Sequence, residues 1–141
     1  MSGDAAITAG AGVNAPLPVT RTLAAFCAAQ DFDSLPAKVV ETARLAMADL
    51  LGCALAGTRE DVCGHVLESF SPVENGAVLW GRNRTAAIED AVLHNGVAGH
   101  ALALDDTNES MRGHPSAPVV PSVFAMVAGS GADGRALITW L

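Results

Sequence analysis

From His94 to Pro121 the chain reads HNGVAGHALALDDTNESMRGHPSAPVVP, a span holding three of its four histidines and the adjacent carboxylates Asp105 and Asp106. Imidazole beside carboxylate is an ordinary means of moving a proton near neutral pH. The same donors can also ligate a metal ion. Only 16% of the chain is charged, so groups able to do either are scarce elsewhere. His114 precedes Pro115, whose ring favours an extended backbone before it and so sets this histidine on a stiff loop. His100 falls one turn before Ala103 and Leu104, facing the same end of a small-residue helix. Asn95, a mid-helix amide beside Gly96, suits either a substrate contact or the anchoring of a loop. Arg82, Arg84 and Arg112 are the local cations, each suited to a surface ion pair or to a polycarboxylate ligand. Plainer roles stay open for the rest: a solvated turn for the aspartates, a solvated loop for His114, a hydrogen-bonded core position for His100. His94 and His65 read as structural or solvated.

These groups need a scaffold, and the apolar periodicity supplies helices. Pro18 to Gln30 reads as a helix with Leu23, Phe26 and Cys27 on one side. Asp31 to Pro36 is a turn, with Ser34 expected as the cap of the next helix and a proline in its first turn. From Ala37, residues Val39, Val40, Ala43, Ala46, Met47, Leu50, Leu51 and Ala54 recur at helical intervals until Gly57, a natural stop. Thr58 is expected to cap a short helix through about Phe70. Ser71 to Gly76 breaks the pattern, and Ala77 to Gly81 is the one β-like run, which alone makes no sheet. Thr85 to Leu104 reads as a long helix even though Gly96 and Gly99 each cost about 1 kcal/mol against alanine. Its thin surface suits close helix packing or a ligand lying against bare backbone. Asp105 and Asp106 then fall at that helix's C-terminal end, where like charge is disfavoured. Pro115, Pro118 and Pro121 punctuate a loop and the start of a helix through Gly129, and Asp133 stands at the cap of a last amphipathic segment. The expected fold class is all-α and bundle-like, with at most one short strand.

The length of 141 residues is one domain's worth. Half the residues are hydrophobic and the mean hydropathy is +0.34, which excludes a disordered chain. A net charge of −7 excludes non-specific nucleic-acid binding. No apolar run reaches the roughly 18 residues that would span a bilayer. Residues 1–17 read as a disordered leader without the basic start and apolar centre of a secretory signal, so a cytoplasmic location is expected. The remaining 18–141 form the helical domain. Cys27, Cys53 and Cys63 lack CxxC spacing and read as reduced, structural residues. The last amphipathic segment is still running at Leu141, which reads as a fragment, a truncation or one half of a split protein.

His100-Ala101-Leu102, Asp105-Asp106-Thr107, His114-Pro115-Ser116-Ala117-Pro118 and Pro121 together resemble the signature of the MmgE/PrpD family. Met47 to Thr58 resembles the end of that family's first long helix, and Gly81 to Leu102 its basic turn and Ala-rich helix. The likeness spans roughly residues 18 to 141. It implies a helical domain from a lyase acting on a di- or tricarboxylic acid, as 2-methylcitrate dehydratases and cis-aconitate decarboxylases do. Proton abstraction beside a carboxylate would be followed by loss of water or carbon dioxide, with no metal and no organic cofactor. The resemblance makes His114, Asp105 and Asp106 catalytic. It makes Thr107, His100, Asn95 and Arg112 substrate-binding. The implied partners are the carboxylate substrate and either a second copy (a dimer) or a complementing C-terminal chain, with neither nucleic acid nor membrane. This sequence departs from the family at Ala103, where relatives often carry an acid two positions before the aspartate pair. The family's catalytic lysines and a second histidine lie further along the longer chains of its members, and the one lysine here, Lys38, is on another helix. Two other readings follow from these departures and from the motif itself. One is a non-catalytic or split-gene subunit whose site a second chain completes; the other is a Mg²⁺-dependent enzyme using Asp-Asp-Thr-Asn-Glu.

Overall fold

A computed structural model describes residues 18–71 and 73–141. The expected leader, residues 1–17, lies outside them. Six α-helices, one 3₁₀ turn and two two-residue strands make up the described chain. It is an all-α domain with one minimal hairpin.

Helix α1 (Val19–Ala28) buries none of its residues, and Leu23 and Phe26 on its apolar side are exposed. The turn η1 (Phe32–Ser34) follows. Here the sequence expectation needs a correction. Ser34 does not cap the long helix. Its hydroxyl donates to the Asp31 carbonyl at 2.7 Å and closes the 3₁₀ turn, in a capping box with Asp31. Pro36, with φ −58° and ψ 141°, is the residue that leads into α2 (Ala37–Gly57).

Helix α2 buries Met47, Leu50, Ala54 and Gly57, a stripe at three- and four-residue spacing that faces α4 (Ile88–His100). Helix α4 answers with small residues and carries Ala91, Ala98 and Gly99 in its buried stripe. A Cβ on Gly57 would stand 2.1 Å from the Ala98 carbonyl oxygen, and one on Gly99 would stand 2.7 Å from Leu50 Cδ1. At Gly57 two helix backbones meet, and at Gly99 the Leu50 side chain fills the space a Cβ would take, so the close-packing reading holds at both contacts.

Helix α5 (Ser116–Ser130) covers another side of α4. Pro121 lies inside it and has no N–H to give the Ala117 carbonyl. A Cβ on Gly96 would come within 3.0 Å of that same carbonyl oxygen. Proline and glycine therefore act together, one freeing a carbonyl and the other letting α4 approach it. Gly131, at φ +69°, ends α5 in the left-handed conformation, and its N–H donates to the Val127 carbonyl. Asp133 then caps α6 (Gly134–Trp140) through Arg135 N–H and Ala136 N–H.

The stretch between α3 (Asp61–Glu68) and α4 differs from expectation. Strand β1 (Ala77–Val78) pairs antiparallel with β2 (Thr85–Ala86), Ala77 opposite Ala86 and Val78 opposite Thr85. Thr85 is thus a strand residue and not a helix start. Its hydroxyl donates to the Val73 carbonyl at 2.6 Å, and Gly81 at φ +69° makes the turn. Trp80 from this hairpin packs edge-on against Phe124 of α5, with ring centroids 5.4 Å apart. Among the described residues no helix is long and apolar enough to cross a membrane.

Candidate active site

Helix α4 ends at His100, earlier than the periodicity implies. Ala103 takes φ +50°, and its N–H bonds back to the His100 carbonyl at 2.9 Å, so the chain turns out of the helix. Asp105 and Asp106 consequently sit in a loop beyond the helix end. The loop closes on itself where Asn108 and Gly113 pair through N–H to carbonyl bonds of 2.9 and 3.3 Å. The Met111 N–H donates to Asn108 Oδ1 at 3.1 Å, with Arg112 in the left-handed region at φ +52°. This tight turn brings His114 back beside His100.

The two aspartates have different surroundings. The Asp105 side chain is fully buried, and His100 Nδ1 lies 2.9 and 3.2 Å from its two oxygens. Because a carboxylate only accepts, His100 Nδ1 carries the proton of that bond, and Nε2 is the ring nitrogen turned away from Asp105. His114 Nδ1 stands 3.4 Å from the same Asp105 oxygen. That nitrogen is buried and has no hydrogen-bond partner among the described residues. The two imidazole rings lie 4.5 Å apart, tilted by 60°. One donor atom from each of His100, Asp105 and His114 falls within 4.8 Å of the other two.

Asp106 points its chemistry at α5. Its Oδ1 accepts from Ser116 N–H at 3.1 Å and its Oδ2 from the Ser116 hydroxyl at 2.8 Å. An anion at a helix N-terminus is favoured by the exposed N–H groups and the dipole. The expected charge liability is therefore answered in both cases, by imidazoles at Asp105 and by a helix start at Asp106. Ser116 carries a role that the sequence reading does not assign to it. A serine at the first position after His-Pro is the signal that could have found it.

His100 and His114 stand in the wall of a groove of about 540 Å³ that runs between α4 and α5. Val92, Leu93, Val97 and Pro118 give the groove an apolar wall, and Ser122 adds a hydroxyl. Thr107 and Arg112 are exposed on the loop and do not line this groove.

Asn95 is buried and spends its amide on the hairpin. It accepts from Trp80 N–H at 2.8 Å and donates to the Val78 carbonyl at 3.0 Å. Of the two uses open to it, the structure gives Asn95 the loop anchor. His94 beside it is fully buried, with Nδ1 3.1 Å from Asn95 Oδ1. Burial first, and the nearby Arg82 cation second, push its imidazole below the ordinary range against the opposing Asn95 contact. Arg82 itself donates to the Thr58 carbonyl and ties the hairpin turn to the end of α2. Burial, then Asp49, Asp105 and Asp106, push the Cys53 thiol up, so it is a poor nucleophile.

The profile of the MmgE/PrpD N-terminal domain matches residues 21–141. No curated protein and no solved structure matches the chain. With the match running from α1 to the last described residue and taking in both histidines and both aspartates of the loop, the chain belongs to the MmgE/PrpD family, as its N-terminal domain.

Proposed function

We propose that the chain is the N-terminal part of a lyase that takes a proton from a carbon beside a carboxylate and expels water or carbon dioxide. The substrate is a di- or tricarboxylic acid of the 2-methylcitrate or cis-aconitate type. The observation that carries this reading is the pair of imidazoles flanking one buried carboxylate at the edge of a groove. His114 is the acid–base group. With its Nδ1 turned to Asp105, its Nε2 is the nitrogen left for a substrate proton. His100, whose tautomer Asp105 fixes, offers a second lone pair across the 4.5 Å between the rings. His114 takes the proton on Nε2 and, as the imidazolium so formed, returns a proton to the leaving hydroxyl, so that water departs and the ring ends neutral.

Asp105 orients both rings and touches no substrate in this scheme. Asp106, expected from the sequence to be catalytic, acts as a positioning residue two links away, since it holds Ser116 and thereby the loop that presents His114. Thr107 and Arg112 are the exposed hydroxyl and cation on the same loop and would hold carboxylate groups. The test uses the full natural chain with 2-methylcitrate and with citrate-like and aconitate-like acids, following the unsaturated product. His114→Ala is expected to lower kcat by about 10² to 10⁴ while changing KM far less. Absence of turnover on every one of these acids, or equal kcat in the variant, overturns the reading.

A further inference from the structure

We propose that His100, Asp105 and His114 also form a binding site for a borderline divalent transition-metal ion, Zn²⁺ or Co²⁺ in character, in competition with proton transfer. Three independent observations converge on these residues. The donor set is two imidazoles and one carboxylate, with one atom from each within 4.8 Å of the others. A tetrahedral ion with bonds of about 2.0–2.2 Å needs ligand atoms about 3.3–3.6 Å apart. The His100 and His114 contacts to Asp105 Oδ1, at 2.9 and 3.4 Å, are already close to that spacing.

The second observation is the orphan. His114 Nδ1 is buried, lacks a hydrogen-bond partner among the described residues and is aimed at a carboxylate that His100 has already claimed. A metal ion gives that nitrogen a partner once its proton, if present, is released. The third is charge. The Asp105 carboxyl is fully buried, and His100 and His114 are its partners, with no lysine or arginine in ion-pair reach among the described residues. A buried carboxylate needs a compensating cation or a metal. Two nitrogen donors and one oxygen donor favour borderline ions over Mg²⁺, which prefers an all-oxygen octahedron. This distinguishes the site from the Asp-Asp-Thr-Asn-Glu magnesium motif, whose second aspartate is bound to Ser116.

His100 and His114 line the groove, which is the side from which water or a ligand carboxylate would complete the coordination. Because the ion would lie between Asp105 and the two Nδ1 atoms, its occupancy removes the carboxylate contacts that orient both rings and so blocks that reaction. Metal analysis after dialysis of the full chain against Zn²⁺ is expected to give one equivalent, with a raised Tm that Mg²⁺ does not reproduce. Co²⁺ is expected to show the intense visible bands of a four- or five-coordinate N/O site. Asp105→Asn and His114→Gln are expected to lose the bound equivalent while keeping their helical circular dichroism. If a variant does not fold, the cobalt spectrum of the unsubstituted chain decides. A thiolate-to-cobalt charge-transfer band, or substoichiometric metal with an unchanged Tm, overturns the proposal. In the turnover assay, Zn²⁺ is expected to inhibit and EDTA to restore activity. Loss of turnover on EDTA treatment, with zinc bound at these residues, keeps the site and overturns the metal-free lyase reading instead.

Discussion

Asp105 and Asp106 are adjacent and chemically identical, yet removing them should have opposite consequences for stability. Asp106 accepts two bonds from Ser116, one from its N–H at 3.1 Å and one from its hydroxyl at 2.8 Å. Truncation to alanine leaves the first N–H of α5 without an acceptor at a residue only 7% exposed. Loss of a cap costs about 1 kcal/mol and up to about 2. The charge–dipole term adds about 0.3–1 kcal/mol. We therefore expect Asp106→Ala to destabilise by about 2 kcal/mol. For a chain of this size that lowers Tm by roughly 6–10 °C. Asp106→Asn should cost less than half as much, because an amide oxygen still accepts from the Ser116 N–H and its NH₂ can donate to the hydroxyl. Asp105→Asn removes a buried charge while keeping an acceptor for His100, so its Tm should stay level or rise, as at sites where charge serves chemistry. Scanning calorimetry on the three variants, with turnover on the full natural chain, reads all of this. If Asp106→Ala melts with the parent chain, or if Asp105→Asn is the less stable of the two, the division of roles drawn from the geometry is wrong.

Three further outcomes follow from other parts of the fold. Asn95→Leu should lower stability by about 2–4 kcal/mol, since it strips partners from the Trp80 N–H and the Val78 carbonyl, and Trp80 fluorescence should shift as the hairpin loosens. His94 is held below the ordinary imidazole range, so the unfolded chain binds its proton first. Its contribution is complete above about pH 6.5 and is lost as pH falls through the lower folded value. His94→Leu should thus flatten the acid limb of a Tm-versus-pH curve, and an unchanged slope would refute the assignment. Gly57→Ala, whose Cβ meets the Ala98 carbonyl oxygen at 2.1 Å, should cost at least about 1–3 kcal/mol. Gly52→Ala, on the same helix with nothing within 4 Å, should instead stabilise by about 0.5–1 kcal/mol, and equal effects in the two would sink the packing argument.

The parts of this fold that the sequence makes legible are those governed by long-range periodicity. The stripe Met47, Leu50, Ala54 and Gly57 can be read from residue spacing alone, because a helix of 21 residues repeats its signal many times. Two-residue strands have no period to read, so Thr85 and Ala86 join the helix that follows them. The end of α4 is missed for a related reason. Ala103 in the left-handed region carries no compositional mark, since alanine is the best helix former and glycine or asparagine would be the usual sign of a stop. At the site, the histidine–aspartate motif is legible as chemistry, and its internal division is not. Which of two neighbouring carboxylates turns to imidazole and which to a helix start is set by the backbone of the loop that follows Ala103. Asn95 shows the same limit. Its amide could serve a ligand or the hairpin, and only the proximity of Trp80 N–H decides between them.

The division between the aspartates ties stability to reactivity in a definite way. Between His114 and Ser116 stands one proline, whose ring allows little torsional freedom. Ser116 is pinned by Asp106, and the other side of the loop is pinned by the Asn108–Gly113 pair. His114 is therefore held between two anchors that belong to the fold, at 3.4 Å from an aspartate that belongs to the site. A loosened α5 start lets that distance grow before any helix unfolds. The site also rests on α4, where Gly96 brings α5 close and Gly99 brings α2 close, so the groove wall and the histidines share one rigid support. The thin surface of α4, open in sequence to close packing or to a ligand, packs against its neighbouring helices. It lets three helices approach closely enough that a loop of 15 residues between α4 and α5 can carry the whole histidine–aspartate cluster beyond His100.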